Sequence, residues 1–365
     1  MKFMINPADL KEAVRFALTA MASRPTSPIM GGILLTVADA ELIASGSDYE
    51  KVASITVDAD VIQPGETLLN GQMLNKAISK FRSTKPVTVT VEDKKAHLEQ
   101  GAIKFNISAM PAEEYPRDLV GNTRTVGTIN GEQFAQLIRS ASVSTDNGAA
   151  NLPVIECAHV ELGQKLAVMS TDRYQLSLGE TDWEPAEEMS LSLSVHGDWI
   201  QQVAKTIAGH TELFIGENNG EPTRFGVTSG AYSTSVSLTA GDYPKIRRLF
   251  TNNESNPCDY RTKELTDAIS VAAALLDDKN SPVKFESEDG KTTISGGADE
   301  SDSAATLTGT LEDTFKFAVN PQRILSVIRV TDSDTITITP NGNKAIWVTS
   351  PEGNTDHLVM PVRLP

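Results

Sequence analysis

Several features that identify common protein classes are scarce or missing in this sequence. Only 5% of the 365 residues are aromatic, so the cores must be built mainly from Val, Ile, Leu, Met and Ala. The two cysteines, Cys157 and Cys258, lie far apart without a Cys-x-x-Cys or Cys/His cluster, which argues against a disulfide framework and a zinc site. No apolar run approaches the roughly 18 residues of a membrane span, and the first thirty residues carry acids and a helix start at Pro7 in place of a signal-peptide core. We therefore expect a soluble, cytoplasmic protein with reduced thiols and no membrane partner.

Motifs of enzyme active sites are also missing. The sequence contains no Gly-x-Ser-x-Gly, no His-Glu-x-x-His and no glycine loop that would cradle a phosphate. We expect no catalytic residue, no cofactor and no metal. One alternative is an enzyme that combines Thr171-Asp172-Arg173 with a histidine, drawn from His97, His159, His196, His210 and His357. A second alternative is a β-rich adhesion or carbohydrate-binding module, which the lack of a secretion signal disfavours.

Three related segments recur at intervals the size of a domain. They are Glu114-Tyr115-Pro116-Arg117, Asp242-Tyr243-Pro244-Lys245 and the terminal Met360-Pro361-Val362-Arg363-Leu364-Pro365. The chain is also longer than one hydrophobic core usually organises, whereas units of about 120 residues are near the commonest domain size. We predict three similar domains over residues 1–122, 123–251 and 252–365.

Each predicted domain contains two helix signals, each followed by short alternating strands. An Asn or His followed by Pro or Gly marks the start of five helices, because Asn is a good N-cap and Pro fits the first helical position. Apolar residues at helical spacing then predict helices over 7–22, 71–82, 130–143, 197–208, 261–276 and 320–329. The fold class is therefore α+β, with two half-units of strand, helix and β-meander in each domain.

The net charge of −16 disfavours nucleic acid as a partner, but the charges are unevenly distributed. The six predicted helices hold eleven bases and six acids, a net +5, so the rest of the chain carries −21. Basic helices within an acidic shell would suit contacts with phosphates that carry no sequence information. The alternative is that Lys and Arg, as good helix formers, only occupy solvated faces.

Four motifs together resemble the bacterial DNA polymerase III beta subunit, or sliding clamp, family over the whole chain. They are Arg24-Pro25-Thr26-Ser27-Pro28 with Gly31-Gly32-Ile33-Leu34-Leu35, Ser170-Thr171-Asp172-Arg173-Tyr174, Asp242-Tyr243-Pro244 with Arg247-Arg248-Leu249, and Met360-Pro361-Val362-Arg363-Leu364. The ending and the Thr-Asp-Arg-Tyr form are most similar to actinobacterial members or their phages. The resemblance implies a ring of two chains around duplex DNA, with sheets outside and helices inside. It also implies a non-enzymatic processivity factor that tethers the replicative polymerase, the clamp loader and other proteins carrying a clamp-binding linear motif.

The resemblance implies a pocket for a partner peptide at fifteen positions. They are Val154, Thr171, Arg173, Leu176, Pro244, Arg248, Leu249, Asn320, Arg323, Val359, Met360, Pro361, Val362, Arg363 and Leu364. Two residues depart from the usual pattern: Gln175 stands where many members have a base, and Arg323 where the residue is often aromatic. The preferred peptide therefore differs, on this reading, from that of other members.

For DNA, the resemblance matches Arg24 to a duplex contact in the first loop and residues 148–151 to a second contact region. The helix bases complete the predicted DNA surface, namely Lys11, Arg15, Lys76, Lys80, Arg82, Arg139, Lys205, Lys263 and Arg329. Apolar residues that match the joint between the two chains are Phe105, Ile107, Leu275 and Leu276. Ordinary core packing is the alternative role of those four.

Overall fold

The computed structural model describes the chain apart from residues 23, 26, 118, 147, 149–150, 252–255, 277, 279–280, 299–300, 311–313, 342–343 and 363–365. The described backbone forms α-helices and many short β-strands, which agrees with the predicted α+β class. None of the helices found in these residues has the length and apolar character that crossing a membrane requires.

Six α-helices form in the described residues; three begin at the predicted residue and three begin one residue later. They are α1 (Pro7–Leu18), α2 (Gly71–Ile78), α3 (Gly131–Ala141), α4 (Gly197–Val203), α5 (Thr262–Ala272) and α6 (Pro321–Val330). Asn6, Asn70 and Asn320 cap α1, α2 and α6, each accepting a hydrogen bond from a backbone N–H of the first turn. The Asn-Pro and Asn-Gly signals therefore predicted these starts correctly, because the cap satisfies an N–H that has no partner within the helix.

Four helices end four or five residues earlier than predicted. After α1 the N–H of Met21 donates to the carbonyl of Leu18 (3.1 Å), and after α2 that of Phe81 donates to Ile78 (3.1 Å). These bonds span three residues, as in a 3-10 turn, and not the four of an α-helix. The predicted ends of α1, α2, α4 and α5 were wrong because apolar residues keep their spacing through this tighter turn.

Compact unit 1 comprises Met1–Glu132, Glu184–Glu187 and Lys205–Leu238. It contains one 14-stranded antiparallel sheet in the order β14-β10-β16-β17-β18-β4-β3-β2-β6-β9-β8-β7-β1-β5. Its strands are β1 (Lys2–Ile5), β2 (Gly32–Ala38), β3 (Glu41–Ser47), β4 (Lys51–Asp58), β5 (Asp60–Gln63), β6 (Gly65–Asn70), β7 (Val87–Glu92), β8 (Lys95–Gln100), β9 (Ile103–Met110), β10 (Asn122–Asn130), β14 (Glu184–Pro185), β16 (His210–Asn218), β17 (Glu221–Ser229) and β18 (Tyr232–Ser237). Helices α1 and α2 supply Leu10, Val14 and Leu74 to a core that also holds Phe3 and Phe81.

Compact unit 2 comprises Gln133–Trp183, Glu188–Ala204 and Thr239–Pro365. It contains an eight-stranded sheet in the order β15-β11-β12-β13-β26-β25-β24-β19 and a four-stranded sheet in the order β22-β21-β20-β23. Its strands are β11 (Cys157–Leu162), β12 (Leu166–Thr171), β13 (Gln175–Thr181), β15 (Leu191–His196), β19 (Cys258–Arg261), β20 (Val283–Glu288), β21 (Lys291–Ala298), β22 (Ser301–Thr308), β23 (Phe315–Val319), β24 (Thr335–Thr339), β25 (Ile346–Thr349) and β26 (Thr355–Val359). Helices α5 and α6 pack Leu265, Ile269 and Ile324 against these sheets. The boundaries of three domains at 122/123 and 251/252 stay a prediction.

The sheet of unit 1 joins strands that are remote in sequence. Strand β18 pairs antiparallel with β4, and Tyr232 lies opposite Ile55. Beside this pairing, the guanidinium of the buried residue Arg224 donates from Nη2 to the carbonyl of Glu50 at 2.6 Å. The sheet begun by the first 122 residues is therefore continued by strands from the predicted second domain.

Glycine at the first helical position reflects close packing. A Cβ on Gly131 would lie 2.7 Å from the backbone of Ala208, and one on Gly197 would lie 2.9 Å from the carbonyl oxygen of Glu156. Those distances are too short for any side chain, so the recurring glycine allows α3 and α4 to start directly against a neighbouring segment.

Candidate functional site

The turn of residues 171–175, between β12 and β13 of unit 2, fixes one edge of the predicted peptide pocket. The hydroxyl of Thr171 accepts a hydrogen bond from the N–H of Arg173 and donates to the carbonyl of Gln175, both at 3.0 Å. The Asp172 carboxylate accepts from the N–H groups of Tyr174 (2.8 Å) and Gln175 (2.7 Å). These bonds hold Arg173 at a φ of 77°, a left-handed conformation that a side chain rarely adopts. The turn leaves Arg173 and Tyr174 exposed.

An apolar floor lies next to this turn. Met169, Leu176, Ile246 and Leu358 form a buried cluster from β12, β13, β26 and the short 3-10 helix Ile246–Leu249. Half-buried Leu178, Tyr243, Phe250, Ala345 and Trp347 pack around it. The following residues of the same 3-10 helix, Arg248 and Leu249, are exposed, and Leu249 shows 52% of its surface. An apolar floor with a few polar groups at its edge is the usual form of a peptide pocket.

The last described residues run along the edge of the same turn. Strand β26 pairs with β13, with Val359 opposite Gln175, and the N–H of Met360 then donates to the carbonyl of Tyr174 at 2.8 Å. The N–H of Val362 donates to Ala318 in β23 at 2.8 Å. Met360 and Val362 expose 39% and 37% of their surfaces, while Pro361 between them is half-buried. Arg363 and Leu364 lie outside the described residues.

The start of α6 lies against the turn from the other side. Asn320, the cap of α6, accepts from the N–H groups of Gln322 and Arg323. The Nε of Arg323 lies 3.3 Å from Asp172 Oδ2, and its guanidinium carbon lies 4.1 Å from the centre of the Tyr174 ring. The turn and the helix start are therefore connected through an ion pair and a cation–π contact.

The structure thus brings Thr171, Arg173, Leu176, Asn320, Arg323, Val359 and Met360 together as predicted residues of one region. Arg248 and Leu249 lie in the 3-10 helix that contributes Ile246 to the apolar floor, and Pro244 lies just before that helix. Val154 lies half-buried in the short 3-10 helix Pro153–Glu156. Sequence reasoning missed the contributions of Asp172, Tyr174 and Ile246. Tyr174 could have been found, since it is an aromatic residue within the Thr-Asp-Arg-Tyr turn.

A network of buried hydroxyl groups supports β13 from the side of α3. Ser144 bonds to Ser177 at 2.7 Å, and Ser177 bonds to Nδ1 of His357 at 2.7 Å. Ser140 bonds to Thr355 at 2.6 Å. Complete burial lowers the pKa of His357 to about 3, so this imidazole is neutral at physiological pH. The bond between Ser177 and His357 joins β13 to β26, and the imidazole is 1% exposed.

The bases predicted to face DNA are exposed, apart from the half-buried Lys11. Several of them already have hydrogen-bond or ion-pair partners within the chain. Lys11 donates to the carbonyl of Phe81, Arg139 donates to that of Ala204 at 3.2 Å, and Lys263 pairs with Asp267 at 2.6 Å. Arg15 and Lys76 lie on α1 and α2, and Arg329 on α6. Arg24 is exposed in the loop after α1, and of the second predicted loop the structure describes only Gly148 and Asn151.

The shorter helices change the predicted charge of this surface. Lys80, Arg82 and Lys205 follow their helices, and Arg261 precedes α5, so none of them lies in a helix. The six helices as they are bounded hold seven bases and six acids, a net +1 where the sequence predicted +5. The prediction of basic helices was therefore wrong in its detail, because most of the excess positive charge lies in the turns next to the helices.

Of the four residues predicted for a joint between chains, three belong to a core or pack against one. Ile107 is 4% exposed within the core of unit 1, and Leu276 packs half-buried against the core of unit 2. Phe105 is half-buried with its ring edge-on to Phe81 at 5.7 Å. Leu275, at 49% exposure, is the most accessible of the four.

Counting only pairings between residues that the structure describes, two strands near these positions have a free edge. Strand β9 pairs with β8 over 103–108, but with β6 only at Ala109 and Met110. In unit 2, β22 is the outer strand of its four-stranded sheet. Free edges of this kind can accept a strand from another chain.

In the part of the chain that the structure describes, no three His, Cys, Asp or Glu side chains are grouped closely enough to hold a metal ion. The ionisable groups of the pocket region pair with one another or face solvent.

Comparisons with known proteins show what this chain is similar to. Residues 1–119 match the family described as DNA polymerase III beta subunit, N-terminal domain. A beta sliding clamp from Streptomyces coelicolor is 27% identical over the full length of both chains, and one from Micrococcus luteus is 29% identical over 83% of this chain and 97% of its own. A DnaN sliding clamp from Pseudomonas aeruginosa, solved with griselimycin bound, has a TM-score of 0.91 at 20% identity, with both chains fully covered. The resemblance predicted from the sequence is confirmed, and the three-domain clamp fold is shared.

Proposed function

We infer that this chain is a member of the DNA polymerase III beta subunit family and acts as a DNA sliding clamp in replication. The observation that carries this conclusion is the match of fold and sequence over the whole chain to proteins named sliding clamps. Such a protein is a processivity factor and not an enzyme. It encircles duplex DNA without sequence preference and tethers the replicative polymerase in the cytoplasm.

Ring closure is proposed to take two copies, because three clamp domains per chain supply half of a ring. The free edge of β9 in one copy would pair with the free edge of β22 in the other, and Leu275 would be covered in the joint. Such pairing is favoured because it satisfies unpaired N–H and C=O groups while burying an apolar side chain. Two identical joints would result, related by the two-fold axis of the dimer.

Duplex DNA is proposed to contact the helices and the bases in the turns beside them. With a net charge of only +1 on the helices, and with Lys263 already paired to Asp267, phosphate contacts would be few and weak. Retention on DNA would then depend on encirclement. Weak, non-specific contacts are compatible with sliding.

Partners are proposed to bind the pocket region of unit 2 through a short extended peptide. The apolar floor around Leu176 and Ile246 would take hydrophobic anchors, and the exposed Leu249 and Met360 would cover them. The replicative polymerase, the clamp loader and other DNA-processing proteins would carry such a linear motif.

Release from cut DNA tests the ring mechanism directly. The protein is loaded on a nicked circular plasmid with a clamp loader and ATP, and gel filtration separates bound from free protein. We expect retention in high salt on the circle, and loss after one restriction cut, because a ring slides off an end. Streptavidin on biotinylated ends of the cut plasmid is the matched control and should restore retention. Equal retention on open and blocked linear DNA, or release from the circle by salt alone, would refute encirclement.

A further inference from the structure

The contacts of Arg323 leave part of its guanidinium available. Its Nε pairs with Asp172, and its flat face lies on Tyr174, as described above. Within the described residues this ion pair is the only bond of the side chain, and the side chain is 30% exposed. An arginine has five N–H donors, so the two terminal nitrogens keep four for an acceptor outside the chain.

Two more arginines flank the same apolar floor. Arg173 lies in the turn of residues 171–175, next to Tyr174, and Arg248 lies in the 3-10 helix that contributes Ile246 to the floor. Among the residues that the structure describes, neither forms an ion pair with a carboxylate. By contrast, the neighbouring Arg247 is bonded to both Glu161 and Glu180.

We propose that Arg323 selects a partner peptide that carries a carboxylate side chain beside its hydrophobic anchors. The inference rests on the proposed partner-binding function of this pocket and specifies the chemistry of its occupant. Asp172 and Tyr174 fix the guanidinium in one orientation, so little conformational freedom is lost when a carboxylate forms two parallel bonds to it. Arg173 and Arg248 add positive potential at the entrance, in a chain whose net charge is −16.

The position of Arg323 explains why a carboxylate is favoured over a hydrophobic side chain. Met360 lies beside Tyr174 through its backbone hydrogen bond, so an anchor bound near Met360 places the next peptide residue close to the stacked guanidinium. The contact is only partly shielded from water, so the preference should weaken as salt is raised.

A peptide series tests the proposal in the full-length protein. The probes are short, blocked peptides with Leu and Phe anchors separated by Ser, in which Glu replaces each Ser in turn, and each Glu peptide has a Gln counterpart. Calorimetry or fluorescence polarisation measures affinity. At one position of the peptide, we expect the Glu peptide to bind about three- to tenfold more tightly than its Gln counterpart at low salt. Arg323→Gln should reduce this ratio to about one. The ratio within each variant is the readout, because the substitution also removes the contacts with Asp172 and Tyr174 and so changes the affinity of both peptides.

Matched variants separate a local contact from a general charge effect. Arg329→Gln removes another exposed arginine of the same helix and should leave the Glu/Gln ratio intact, whereas Arg323→Lys should keep only part of it. Equal effects of Arg323→Gln and Arg329→Gln, or wild-type binding with no preference for Glu, would overturn the proposal but leave the peptide site standing. If no peptide of either kind binds, both this inference and the assignment of the pocket fail, while release from cut DNA still decides the ring mechanism on its own.

Discussion

Replacing Arg224 with Met should loosen the sheet of unit 1 where β18 meets β4. The guanidinium donates from Nη1 to the hydroxyl of Ser237 at 2.8 Å and to the carbonyl of Tyr49 at 3.3 Å. It also donates from Nη2 to the carbonyl of Glu50 at 2.6 Å. Burial lowers the pKa of this arginine, and no carboxylate among the described residues bonds to it. Arg224 therefore links the β3–β4 turn to β17 and β18 entirely through neutral acceptors.

The size of the effect follows from these bonds. Each hydrogen bond from a charged group contributes about 1.5–3 kcal/mol, and the two bonds below 3 Å would account for most of the loss. Removing the buried charge also removes its desolvation penalty, which offsets part of that loss. Met fills the space of the apolar stem. We expect the local opening free energy of the β18–β4 pairing to fall by about 2–4 kcal/mol.

Hydrogen exchange followed by mass spectrometry measures this quantity segment by segment. Amides of β4 and β18 should exchange faster by the corresponding factor, while those of unit 2 keep their rates. Arg124→Met is the matched control in the same sheet. Arg124 pairs with Glu187 and Glu217, its side chain is 41% exposed, and such solvent-accessible pairs contribute about 0–1 kcal/mol each. If the amides of β4 and β18 exchange as slowly in Arg224→Met as in Arg124→Met, the buried guanidinium does not stabilise this pairing.

Two further predictions concern the joint and the buried histidine. Leu275→Asp should shift the proposed dimer towards monomers by at least about tenfold, because it would replace about 1.5–3 kcal/mol of apolar burial with a charge. Sedimentation checks this, with Ile62→Asp at another exposed apolar residue as control. If the Leu275 variant is as dimeric as that control, the joint lies elsewhere. Burial lowers the pKa of His357 from 6.5 to about 3, so between these pH values the unfolded chain binds one more proton than the folded chain. The contribution of neutral His357 to the free energy of unfolding is therefore fully present above about pH 6.5 and is lost as the pH falls. The opening free energy of β13 and β26, obtained from exchange rates corrected for the intrinsic pH dependence of amide exchange, should therefore fall on acidification by up to about 1.4 kcal/mol per pH unit in the wild type and by less in His357→Gln. Identical pH slopes would contradict this.

Local signals predicted the helix starts because the chemistry of a start is contained in two or three residues. The side chain of Asn6 or Asn320 bonds directly to the turn that follows it. The predicted helix ends were wrong, because the choice between an α-turn and a 3-10 turn after Leu18 or Ile78 depends on packing against other strands. The same error moved Lys80 and Arg82 out of α2 and changed the expected charge of the surface.

At the candidate site, the resemblance named segments that the structure brings together, but it did not give the contacts between them. Asp172 and Arg323 are 151 residues apart, so their ion pair is invisible to any local pattern. Ile107 follows an alternating strand pattern that is the same for a core and for an interface. Exposure distinguishes these roles, and exposure arises only when the whole sheet is assembled.

The pairing of β18 with β4 also determines when this part of the sheet can form during translation. Ile55 cannot pair until its partner Tyr232, 177 residues further along the chain, has been synthesised. At about 5–20 residues per second, β4 spends about 9–35 s on a nascent chain with its edge unpaired. Unpaired edges of this kind are prone to join other chains, and late long-range pairing slows folding. Chaperone dependence and losses to aggregation during expression should therefore be concentrated in the interval before residue 237 has left the ribosome.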